Sequence, residues 1–81
     1  MEFPVYKNIV CNNEICGGRP TLKGTRLTVS NIMSFILAGD SNEEVLSSFP
    51  YLTIQDLETC KEFTTLLLDQ KHSVVEISKL K

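Results

Sequence analysis

Two helix-start signatures, Ser41-Asn42-Glu43-Glu44 and Thr53-Ile54-Gln55-Asp56, stand twelve residues apart with Pro50 between them. The first is a capping box: the Ser41 hydroxyl covers the Glu44 amide and the Glu44 carboxylate reaches back. In the second, Thr53 is the cap and acidic residues occupy the first turn, where the helix dipole favours them. A proline has no amide for a helix interior, so only a short helix fits between the two starts, built on Val45, Leu46 and Phe49. Upstream, Val29, Ile32, Met33, Ile36 and Leu37 fall at i, i+3, i+4, i+7 and i+8, an apolar helical stripe that Gly39 closes. The chain therefore carries three helices, the last two in helix-turn-helix-like succession. The buried side of the third is expected to include Ile54, Leu57, Cys60, Leu67 and Leu68.

Ahead of the helices the pattern changes. Val5 to Cys11 has strand-favouring residues, and the turn residues Asn12-Asn13 and Gly17-Gly18 punctuate the chain beyond it. Arg19 to Val29 then reads as a hairpin with Lys23-Gly24 at its tip, because glycine supplies the positive φ of a tight turn. A two-residue loop pairs Leu22 with Thr25, Thr21 with Arg26, Pro20 with Leu27 and Arg19 with Thr28. That register places Pro20, Leu22 and Leu27 on one face and Arg19, Thr21, Arg26 and Thr28 on the other. The expected fold is α+β: an N-terminal β-hairpin followed by a three-helix, helix-turn-helix-like bundle over 1–72, with a tail over 73–81 that is either a strand or disordered.

At 81 residues, 42% hydrophobic and 22% charged, the sequence describes one ordinary globular domain. A chain of this size buries only about 60% of its unfolded surface, so a homodimer or a partner complex is expected. No apolar run approaches membrane-spanning length. The first residues, Met1 to Lys7, lack the basic and apolar regions of a signal peptide, which points to the cytosol. Cys11 and Cys16 lie far from Cys60 and from His72, the single histidine, and lack the paired spacing of zinc sites; reduced, partly buried thiols are the expectation, with no cofactor and no metal.

The net charge of −2 is unevenly spread: residues 1–39 carry a net +2, residues 40–69 a net −6 and residues 70–81 a net +2. Such a dipolar chain can draw an anion to one end and a basic partner to the other, although a plainly solvated surface would show the same bias.

Asn12-Asn13-Glu14-Ile15-Cys16-Gly17-Gly18-Arg19-Pro20, then Lys23-Gly24-Thr25-Arg26-Leu27-Thr28-Val29, resembles the bacterial family called domain of unknown function 433. The likeness continues through Ile36-Leu37-Ala38-Gly39-Asp40-Ser41, Asn42 to Leu46 and Phe49 to Thr53, and covers about Ile9 to Leu68. Asn12-Asn13 replaces the Asp-Pro usual there, and a looser turn is the expectation. The resemblance implies a hairpin with a helix-turn-helix-like unit. It also implies an antitoxin of the VapB type, encoded beside a PIN-like ribonuclease toxin.

The residues themselves leave several roles open. In a helix-turn-helix the second helix lays its first side chains on base edges. Here that helix would present Gln55, Asp56, Glu58, Thr59 and Glu62, so Gln55 and Thr59 are its only plausible readers and its carboxylates would oppose phosphates. The hairpin is the better nucleic-acid element, offering Arg19, Thr21, Lys23, Arg26 and Thr28; a homodimer would double these contacts. Internal pairing of Arg19 or Arg26 with Glu14 or Asp40 competes with that use. For a protein partner, Val74, Val75, Ile77 and Leu80 could add a strand to an exposed sheet edge. An enzyme would need Cys16, the Gly17-Gly18 amides as an oxyanion site and His72, which no spacing brings together in so small a fold. The expected function is a non-catalytic antitoxin that binds a ribonuclease-like toxin and operator DNA; a stand-alone DNA-binding regulator and a protein-interaction adaptor are the alternatives.

Overall fold

A computed structural model describes residues 1–69. Its core is seeded by a hairpin that begins earlier in the chain than the sequence suggests. Strands β1 (Glu2–Tyr6) and β2 (Ile9–Asn12) are antiparallel, and β2 also pairs with the two-residue β3 (Thr21–Leu22), giving the sheet order β1-β2-β3. The stretch from Val5 to Cys11 is thus not one strand but the two arms of a hairpin turning at Lys7-Asn8, with Lys7 at φ 51°. Asparagine following a left-handed residue makes a compact reversal. The register shifts between Pro4 and Tyr6, which turns Val5 fully into the core.

The loop after β3 also departs from expectation. It is four residues long rather than two: the Leu22 amide donates to the Leu27 carbonyl at 3.2 Å, and Thr21 bridges Thr28. Thr25 is the physical reason. Its hydroxyl accepts from the Leu27 amide at 3.0 Å and donates to the Leu22 carbonyl at 2.8 Å, so a side chain closes the wider loop. In this register Leu22 and Leu27 stay buried together, but Thr21 and Thr28 are buried as well.

Helices α1 (Val29–Leu37), α2 (Asn42–Ser48) and α3 (Ile54–Leu68) follow, with the N-caps of α2 and α3 where the sequence puts them. Thr28 caps α1 by accepting from the Asn31 amide, and Ser41 with Glu44 forms the capping box of α2. Thr53 is more than a lone cap, because Asp56 completes a second box by accepting from the Thr53 amide at 3.0 Å. Phe49 ends α2, and its carbonyl accepts from the Leu52 amide at 2.9 Å to set the turn into α3.

The core joins Val5, Ile9 and Cys11 of the sheet and Leu22 and Leu27 of the loop to Val29, Ile32, Val45, Leu52, Leu57, Cys60 and Phe63 of the helical unit. Phe63, not among the core residues expected from the sequence, is the largest fully buried side chain, stacked on Tyr6 with ring centroids 6.2 Å apart. Ile54 and Leu68, expected inside, are exposed, as is Leu37 at the end of the α1 stripe. Burial pushes the Cys60 thiol, with Asp56 adding to the effect, up to about 12, and burial also raises Cys11. All three cysteines are free.

Candidate functional site

The segment Cys16 to Gly18 is where local conformation sets up the site. Cys16, Gly17 and Gly18 all have positive φ, 52°, 66° and 84°, a run that side chains other than glycine rarely accept. The chain turns so sharply there that the Cys16 carbonyl accepts from the Arg19 Nε at 3.0 Å, while the Cys16 thiol donates to the Arg26 carbonyl at 3.1 Å. One residue therefore ties together the two segments that carry the arginines.

Arg19 and Arg26 line one open cleft of about 430 Å³ together with Cys16, Thr28 and, from α1, Ser30, Asn31 and Ser34. No carboxylate lines it, and among the described residues neither arginine takes part in an ion pair. Pairing with Glu14 or Asp40 is thus not what holds these guanidiniums. Lys23 does not line the cleft; its Nζ lies 4.0 Å from the Glu2 carboxylate. Thr21 is not a surface hydroxyl, and Thr28 lines the cleft but is only 7% exposed. Thr21 Oγ1 lies 3.4 Å from the Val10 carbonyl and Thr28 serves as a helix cap, because the four-residue loop turns both inward.

The third helix offers less than its place in a helix-turn-helix suggests. Gln55 is exposed, but Thr59 is only 2% exposed, since it lies on the flank of α3 beside Cys60 and Phe63. The acidic residues there are engaged. Asp56 accepts from Thr53 and from Asn8 Nδ2 at 2.9 Å, and Glu58 pairs with Lys61 at 3.3 Å. Glu62 accepts from Lys7 Nζ at 2.7 Å and from the Tyr6 hydroxyl at 3.1 Å. Lys7, then Tyr6, hold the Glu62 carboxyl below its ordinary range, and Glu62 in turn raises Lys7.

On the other side of α1 lies an apolar groove of about 380 Å³, formed by Met33 and Leu37 of α1 with Phe63 and Leu67 of α3. Arg19, Ser30 and Ser34 border both this groove and the polar cleft. Of the cleft-lining residues, Arg19, Arg26 and Thr28 are among those singled out in the sequence for DNA contact, whereas Cys16, Ser30, Asn31 and Ser34 are not. The polar flank opposite the apolar stripe of α1 was the signal available for the last three.

Cys16 has no paired oxyanion amides beside it, because the Gly18 amide already donates to the Ile15 carbonyl at 3.0 Å. His72 and the partner-binding candidates Val74, Val75, Ile77 and Leu80 lie outside the described residues, as does the boundary between 72 and 73. Among the described residues no group of three or more His, Cys, Asp or Glu side chains could hold a metal ion. No helix of the described residues is long and apolar enough to cross a membrane.

A small α+β domain with a three-stranded antiparallel sheet, three capped helices and an arginine cleft at the sheet–helix junction is the class that fold and site define. The chain belongs to the family described as "Protein of unknown function (DUF433)", whose sequence model matches residues 9–64. That span contains the Gly-Gly-Arg-Pro turn, both arginines and all but the last turn of α3. No curated protein matches the chain, and no solved structure does.

Proposed function

We propose that this chain is a non-catalytic binding module, the antitoxin of a toxin–antitoxin pair, which holds a ribonuclease-like protein and contacts operator DNA to repress its own synthesis. One observation carries the reading: two open surfaces of opposite chemistry flank a single helix, a polar arginine cleft on one side of α1 and an apolar groove on the other. A polyanion is recognised by guanidiniums that lack an internal carboxylate partner. A protein partner is recognised by apolar side chains left open at the surface, and Leu37 at 78% exposure is one. An antitoxin needs both surfaces at once. The specific toxin class rests on the family resemblance, and a homodimer presenting two clefts fits an operator with two half-sites.

The test is affinity purification of the tagged chain from its source cells, with and without nuclease treatment, read by mass spectrometry. A small ribonuclease-like protein retained after nuclease treatment is the expected result. DNA recovered without such a protein would replace this reading with a stand-alone regulator. Recovery of an unrelated protein and no DNA would favour an adaptor, for which the apolar groove already speaks.

A further inference from the structure

We propose that the cleft between Arg19, Arg26 and the polar flank of α1 is a site for the backbone phosphates of duplex DNA, so that α1 rather than α3 is the helix laid against the nucleic acid. This deepens the DNA half of the proposed function and is independent of the toxin half.

Charge is the first reason. Two guanidiniums converge on a cleft that no carboxylate lines, and a counter-anion with several oxygens satisfies their planar donor forks. Preorganisation is the second. The Cys16 carbonyl holds Arg19 through Nε, which leaves the two terminal nitrogens for a ligand, and the Cys16 thiol fixes the Arg26 backbone to the same turn. Third, Ser30 and Asn31 are exposed on the cleft wall, and hydroxyl and amide donors of this kind commonly accompany arginine at phosphates.

The shape selects the ligand. The cleft is open, and its arginines are exposed, so a small phosphate ion would remain largely solvated there. A polyanion instead releases counterions at every contact. A concave wall receives the convex phosphate ridge of a duplex, whereas base edges lie at the floor of a groove and require a protruding element. Helix α3 is excluded by its own surface, where Asp56, Glu58 and Glu62 would oppose phosphates and Thr59 is buried.

The experiment is fluorescence anisotropy of the full chain with two labelled duplexes of unrelated sequence, titrated across salt concentrations, with a single-stranded RNA as a competing probe. The wild-type chain should bind both duplexes alike, in the range of about 10⁻⁴ to 10⁻⁶ M expected of non-specific contact. Arg26→Gln should weaken both by about five- to tenfold and lower the slope of log K against log salt by about one. Arg19→Gln should do the same, and Gln55→Ala should change neither affinity nor slope. Because the Arg26 side chain has no partner among the described residues, Arg26→Gln should melt like the wild type, and that melt separates lost binding from lost folding.

Unchanged binding in both arginine variants would overturn the proposal. So would a loss confined to one duplex, which marks base reading, an equal loss in Gln55→Ala, or preference for the RNA. Retention of a ribonuclease-like protein by Arg26→Gln in the affinity purification keeps the two readings separable. If no such protein is captured, the toxin half fails while the anisotropy result stands.

Discussion

Helix α3 and the segment that leads into α1 carry opposite charge, yet the more telling contrast lies in how that charge is used. On α3, Asp56, Glu58 and Glu62 are each held by a neighbour, and two of those holds, from Asn8 and Lys7, come from the β1–β2 turn. Ahead of α1, Arg19 and Arg26 have no carboxylate partner among the described residues, and the first turn of the helix carries no acid, unlike those of α2 and α3. Charges of the first kind hold the fold together; charges of the second kind remain for a ligand. A surface count of acids and bases would have reversed the emphasis, because it would have read the acidic face as the active one.

The sharpest way to break this contrast is at its anchor. Phe63 packs α3 against Tyr6 of β1, so Phe63→Ala should lose about 3–5 kcal/mol of stability, measured by urea unfolding. In a domain this small that loss leaves much of the chain unfolded at ambient temperature. A loss below about 1 kcal/mol would mean that α3 is not seated on the hairpin through Phe63.

A smaller effect is expected at the other helix. Thr28→Ala removes the cap of α1 and should cost about 1 kcal/mol. It should also weaken duplex binding, because the cap fixes the turn that bears Ser30 and Asn31. If stability falls but binding is untouched, the α1 flank is not part of the phosphate site.

The smallest effect is expected on the engaged acids. The Lys7–Glu62 pair is half-exposed, and such pairs contribute little and weaken in salt. Glu62→Gln should lower the melting temperature slightly at neutral pH, less so in high salt, with duplex binding unchanged. The pH dependence sharpens the point. Glu62, through Lys7 and Tyr6, and Glu44, through Ser41, have carboxyls held below their ordinary value of 4.5. The unfolded chain therefore binds more protons as pH falls through the carboxylate range, and stability present above that value drains away with acidification. Glu62→Gln should make that acid decline shallower in melts recorded across the range. Lys7, raised above 10.5, gives the opposite limb: its contribution is complete below that value and is lost as pH rises through the folded value.

Much of the helical architecture was legible in the residues. Val29 to Leu37, the Ser41–Glu44 box, the stop at Phe49-Pro50 and the Thr53 start all stand where the caps and the apolar spacing put them, whereas the Thr28 cap was not read from the sequence. These signals are local, since a cap or a left-handed glycine acts within three or four residues whatever lies beyond. Arg19 and Arg26 were singled out as one face of a two-residue hairpin, and the structure brings them to one cleft by a different, four-residue loop. What could not be read was the register around them, because Thr25 closes a four-residue loop with its side chain and thereby sends Thr21 and Thr28 inside.

The sequence by itself determined the three helices, the glycine-driven turn before Arg19, and the absence of an acid from the first turn of α1, because each follows from short-range sterics and hydrogen bonding. Only the tertiary structure decided which charges are engaged and which remain for a ligand. Lys7 and Glu62 meet across 55 positions of sequence, Asn8 and Asp56 across 48, and Phe63 is buried only because a hairpin at the far end of the chain supplies Tyr6. No periodicity encodes such meetings. They arise when burying the apolar faces of sheet and helices fixes one packing, and the polar groups at its edges pair with what that packing brings near.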